Sequence, residues 1–208
     1  MANVKISAMP AATTPLVGTE LAEIVQSGTS SKVAVKDIGN SADALPFASL
    51  AGRAYADFYD TTDQTGSTAA GVEVLFNTTV LNTGITMANN GGGNPTRLTF
   101  TAAGKYRVRA ELQGANSAAA DHTITTWLRL NGTDVVASAL RTVVAKTGDG
   151  GAEGIVREWI VTVTAAQYVN IMWLVSNTAL TLDATAAAAG PPAVPAFASA
   201  RVTAERIV

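Results

Sequence analysis

The chain has 208 residues, 48% of them hydrophobic and only 14% charged, with 14 Lys and Arg against 16 Asp and Glu for a net charge of −2. The basic residues form no block that would neutralise a phosphate backbone, which excludes nucleic acid as the main partner; cysteine is absent, which excludes a disulfide framework and a thiolate metal site. Free surfaces are normally about a quarter to a third charged, so this chain is expected to hide much of its surface in an oligomer or a larger assembly.

Residues 1–50 read as three short extended pieces with little capacity to form a core: Val4–Pro10, Leu21–Gly28 and Lys32–Ile38. Pro10 and Pro15 interrupt the first stretch, and Gly18 and Gly28 mark turns. Such a segment needs a partner surface to order. Val4, Ile6, Leu21, Ile24, Val25, Val33, Val35 and Ile38 are the apolar side chains expected to meet that surface. The segment lacks the charged-then-apolar pattern of a secretory signal. No run in the chain reaches the length of a membrane span, so membrane insertion is not expected.

Residues 51–208 read as one all-β head. Ala54, Ala56 and Phe58 alternate with Tyr55, Asp57 and Tyr59 in an opening strand, followed by a polar loop over 61–70 and a second strand over 72–76. Residues 82–94 are turn-rich and end in Gly91-Gly92-Gly93; residues 96–101 are strand-like. The clearest strand places Tyr106, Val108, Ala110 and Leu112 on one face and Lys105, Arg107, Arg109 and Glu111 on the other, the period of a half-buried antiparallel strand. Residues 122–130 repeat it, and Asn131-Gly132 supplies a hairpin turn leading to a return strand over 135–144. Ile155, Trp159, Val161 and Val163 share a face of the next strand. Residues 167–176 are apolar on both faces, so the face with Tyr168, Met172 and Leu174 is expected to need a second subunit or a covering loop. An Ala- and Pro-rich loop over 184–195 precedes a closing strand over 197–207. Eight to ten antiparallel strands at this spacing predict a sandwich or jelly roll.

Residues with chemical potential are few. His122 is the single histidine and has no nucleophile elbow to serve. Asp57, Asp60 and Asp63 lack the calcium-loop pattern and read as solvated carboxylates. Glu153 and Glu158 are an odd number of positions apart on a strand, hence on opposite faces, which counts against a paired-acid site. Trp159 and Trp173 lie among apolar residues and read as core, whereas Trp127 alternates with Thr125 and Arg129. Trp127 and Arg129 are therefore the candidate contacts for a surface ligand. No catalytic group, metal site or cofactor is expected.

Several stretches resemble known families. Val74–Asn77, Asn82–Ile85, Leu98–Tyr106, Leu128–Thr133 and Val163–Val169 together resemble the trimeric jelly-roll heads of the complement and tumour-necrosis-factor-like proteins, although Ala166-Gln167 stand where that family usually carries Gly-Asp. The resemblance implies a homotrimer. Lys5–Ala12, Glu20–Gly28 and Lys32–Ile38 look like the leader of tailed-phage fibre and virion appendage proteins, which implies that residues 1–50 dock on other virion proteins.

The combined expectation is an antiparallel jelly-roll head, residues 51–208, preceded by an extended anchor, residues 1–50. It is a phage virion structural protein rather than an enzyme: a homotrimeric tail or baseplate fibre knob, located in the virion and assembled in the host cytoplasm. Tyr168, Met172 and Leu174 form its trimer interface, and a host surface glycan or protein is its distal partner. A capsid decoration or head-fibre protein and a non-viral bacterial binding module are the alternatives.

Overall fold

The computed structural model describes the backbone of Leu21–Gln26 and Thr29–Ala34, and residues 53–207 in full. The chain divides into two compact units, Met1–Gly52 and Arg53–Val208. In the first, β1 (Leu21–Gln26) pairs antiparallel with β2 (Thr29–Ala34), Leu21 opposite Ala34 and Gln26 opposite Thr29. Leu21, Ile24, Val25 and Val33 of the expected docking set belong to this hairpin; Val4, Ile6, Val35 and Ile38 lie outside the described residues.

The described residues of the second unit form fourteen strands in two seven-stranded sheets. The first sheet has β11 (Thr133–Asp134), β10 (His122–Leu130), β14 (Tyr168–Val175), β8 (Pro95–Phe100) and β7 (Ile85–Asn89) side by side; β12 (Leu140–Val144) also pairs with β10, and β5 (Val72–Glu73) with β14. The second runs β4 (Gln64–Thr65), β15 (Leu180–Leu182), β9 (Gly104–Asn116), β16 (Ala200–Arg206), β3 (Tyr55–Asp60) and β6 (Thr78–Thr83), with β13 (Ala152–Val163) paired to β9 along its whole length. All pairings are antiparallel. The protein is thus an all-β antiparallel sandwich of jelly-roll type.

The expected period of two decides which face of each strand is inside. Tyr106, Val108, Ala110 and Leu112 of β9 meet Ile124, Leu128, Val169, Ile171 and Trp173 of the opposite sheet in one continuous core. The Phe100 and Tyr106 rings lie 4.4 Å apart at 54°, and the Tyr106 hydroxyl donates to the Ala102 carbonyl at 2.9 Å, closing the β8–β9 turn.

Local departures from expectation have local causes. The stretch 82–94 expected to be turn-rich contributes to β6 and all of β7; Gly84, at φ 67, supplies the left-handed residue between them. The second strand stops at Glu73, because the backbone of Leu75 is paired to a side chain: Gln64 accepts from Leu75 N at 2.9 Å and donates to Leu75 O at 3.1 Å. The return strand after Asn131-Gly132 splits into β11 and β12 around Ser138, whose hydroxyl bonds Val135 O. The Ala/Pro loop is pinned by two bridges, Thr185 to Phe197 and Ala188 to Val194.

Ile171 is fully buried on the central strand of the first sheet. Ile171→Ala is expected to lower unfolding stability by about 2–5 kcal/mol, read as a lower urea midpoint with an unchanged m-value.

Candidate functional site

A groove of about 630 Å³ is lined by Glu73, Thr96, Arg97, Arg129 and Met172 of the first sheet and by Gln64 and Thr65 of β4. It forms where β14 changes neighbours. β8 pairs with β14 at Tyr168 and Val169, and β5 pairs with it at Met172 and Trp173. Between them Val74 N donates to Ile171 O at 2.9 Å, and the Asn170 side chain donates to Thr96 O at 3.1 Å. Glu73 ties its rim together, accepting from Thr96 Oγ1 at 2.7 Å and from Asn90 Nδ2 at 2.6 Å. Asn90 in turn caps the glycine turn through Oδ1, accepting from Gly92 N at 2.9 Å and Asn94 N at 3.1 Å.

Two arginines line this groove, Arg97 from β8 and Arg129 from β10. Arg129 is directly opposite Asn170 on β14, and Arg97 is the residue following the Val169–Leu98 pair. The three therefore make one row across three strands: Arg97, Asn170, Arg129. Arg129 donates from Nε to Asp134 Oδ1 at 2.7 Å, and Trp127 Nε1 donates to the same oxygen at 2.8 Å. Both donors hold the Asp134 carboxyl below its ordinary value of 3.8, the Arg129 bond first and the Trp127 bond second.

The expected ligand contacts thus share one carboxylate but differ in access. Arg129 faces the groove, while Trp127 is half-buried and packs on Gly71, where an added Cβ would meet the indole at 2.3 Å. Arg97 escapes a sequence reading: its position in Thr96–Phe100 marks it as an outward strand residue, but nothing local shows that it shares a row with Arg129.

The expected trimer residues are placed otherwise. Met172 is fully buried within the single chain, against the segment that includes β5 and Gly71, so it needs no second subunit. Tyr168 is half-buried beneath the Arg97 guanidinium, 4.4 Å from its ring centroid, and Leu174 is half-buried. Within the single chain, Met172 alone of the three is fully covered.

The acidic candidates disperse. Asp57 and Asp60 are buried rather than solvated. Asp57 accepts from Arg201 Nε at 2.9 Å and raises the arginine's pKa further. Asp60 accepts from Thr62 N at 2.6 Å and from Asn77 Nδ2 at 3.3 Å, and Asp63 from Ala184 N at 2.8 Å. Glu158 lies 3.7 Å from Arg107 on the outer face of the second sheet, whereas Glu153 pairs with Gly114 at the far end of β13. Among the described residues, no group of three or more His, Asp or Glu side chains is placed to hold a metal. Trp173 is core as expected; Trp159 is half-buried and donates to Ser138 O at 2.9 Å.

Because the folded pKa of Asp134 is lowered, its contribution is complete above 3.8 and is lost as pH falls through the lower folded value. An acid titration should therefore show a Trp127 fluorescence transition with a midpoint below 3.8, and Asp134→Asn should abolish it.

Comparison with known proteins finds no family model and no curated protein that matches the chain. Among solved structures, murine APRIL at pH 5.0 and murine APRIL at pH 8.5 each align with a TM-score of 0.44 and 8% identity, over 74% of this chain and 99% of that one.

Proposed function

We propose that this chain is a phage virion structural protein: a self-associating, homotrimeric head at the distal end of a tail or baseplate fibre, held on the particle by residues 1–50 and meeting the host surface through the head. The observation that carries the self-associating part is the outer face of the second sheet. Its register is regular: Tyr55, Glu205, Arg107 and Ile160 make one row, and Tyr59, Arg201, Glu111 and Val156 another. Apolar side chains sit at both margins, Ile160 (65% exposed) and Val156 (49%) on β13, with Leu81 (46%) on β6 and Tyr55 (44%) on β3. The middle is charged but internally compensated, with Arg107 3.1 Å from Glu205 and Arg109 2.8 Å from Glu111.

A face with two apolar margins and a neutralised centre suits contact with further copies of itself. A head-to-tail contact that sets one margin on the opposite margin of the next copy closes into a three-membered ring when its rotation is a third of a turn, and burial returns about 25 cal/mol per Å² of apolar surface. The interface of this reading therefore moves from Tyr168, Met172 and Leu174 to the second sheet. Separation of the chain into a small hairpin-bearing unit and a larger sandwich supports an anchor and a head. The low charge of the whole sequence supports life inside an assembly.

Two measurements test this. Sedimentation equilibrium of residues 53–208, which form a compact unit, should give three times the monomer mass. The double variant Val156→Glu, Ile160→Glu should shift it to monomer without losing the β-sheet circular dichroism signal; a wild-type monomer at micromolar concentration defeats the trimer. Immunogold labelling of intact particles against the same residues should mark the tail tip. Label over the head would make this a decoration protein, and unlabelled particles would remove the virion reading.

A further inference from the structure

The two groove arginines differ in what the fold gives them. Arg129 has Asp134. Arg97 has no carboxylate partner among the described residues; its guanidinium is stacked on Tyr168, and its Nε is buried with no hydrogen-bond partner. Keeping a cation half-buried without a counter-ion costs free energy that stacking offsets only in part. Asn170, between the arginines in register, has the complementary deficit. It is fully buried, its Nδ2 is spent on Thr96, and its Oδ1 receives no hydrogen bond. Two cationic forks lining one groove, one of them with an unsatisfied buried Nε and with an unsatisfied amide buried between them, are arranged for an occupant the chain does not supply.

The rest of the lining narrows the chemistry. Glu73 and Asp63 line the same groove, so a densely charged polyanion would meet two carboxylates and be repelled. Asn90, Asn94 and Thr96 offer neutral polar groups suited to hydroxyls. A ligand with one isolated negative charge and several hydroxyls satisfies both conditions. The geometry points to a carboxylate-bearing saccharide bound in this groove, its carboxylate on Arg97 and Arg129 and its hydroxyls on the Asn90–Thr96 rim. Arg97 is the specificity-determining residue, because a planar guanidinium receives a carboxylate through two parallel bonds. This deepens the host-contact part of the proposed function and rests on that reading.

The test is calorimetric titration of the full chain with galacturonate and with sialyllactose, which carry one carboxylate each, beside their uncharged methyl esters. At least one acid should bind, and its ester should not. Arg97→Gln should weaken binding about tenfold or more, and Arg97→Lys, which keeps the charge and loses the fork, should recover little of it. Lys146→Gln, outside the groove and paired only with Asp149, should bind as wild type does, and the melting temperature of each variant reports whether its fold is kept. Binding of neither acid, equal binding of the esters, or an equal loss in Lys146→Gln would each overturn the assignment. The ester comparison uses wild-type protein, so it stands even if a variant unfolds. Gold label away from the tail tip would defeat the fibre reading without touching this titration, and absence of sugar binding would leave the labelling result intact.

Discussion

Residues Tyr168 to Val175 are closed to solvent on nearly their whole length, and every backbone group along their two edges must find a partner. One edge is simple, since β10 accompanies β14 from Val169 to Val175. The other is divided between β8 and β5, with Val74 N and the Asn170 amide filling the gap. That division places Glu73 beside Thr96, holds Asn90 over the junction and sets Arg97 level with Arg129. The groove is the space left when two short strands, instead of one long strand, complete the edge of a third.

The two outer faces solve different problems. On the first sheet the chain folds back over itself, laying Gly71 on Trp127 and burying Met172 and Asn170. On the second sheet the outward residues of β9, β13, β16 and β3 remain open, and their charges neutralise one another in place. Such half-exposed ion pairs contribute little stability one at a time. Their effect here is that a face rich in arginine and glutamate carries almost no net field, so another copy can approach it without a long-range electrostatic penalty.

The sandwich was legible wherever alternation was strict. In β9, β10 and β13 apolar residues at period two state both the strand and its buried face. The short strands were hidden for a physical reason: β4, β5 and β15 have two or three residues each, too few to show a period, and exist because a longer neighbour has unpaired edge groups. Gln64 is the sharpest case, since its side chain replaces a strand partner for Leu75 and no sequence pattern announces that. Half of the candidate groove was visible, because Trp127 and Arg129 stand out within β10. Arg97 and Asn170 acquire meaning only through cross-strand register, which depends on residues some seventy positions apart. The burial of Met172 within the single chain has the same origin: period two reports that both faces of β14 are apolar, but not which part of the chain covers the second.

The sequence marks 184–195 only as an Ala- and Pro-rich loop, and the Thr185–Phe197 and Ala188–Val194 bridges make its base a narrow two-rung stem. Its tip carries small, exposed residues that contribute nothing to the core. Foreign peptide sequences spliced between residues 189 and 193 would be held away from the sandwich on a fixed stalk, since exposed tips of this kind accept insertions readily. On a multivalent particle, that stem would turn the chain into a scaffold for displaying epitopes at regular spacing.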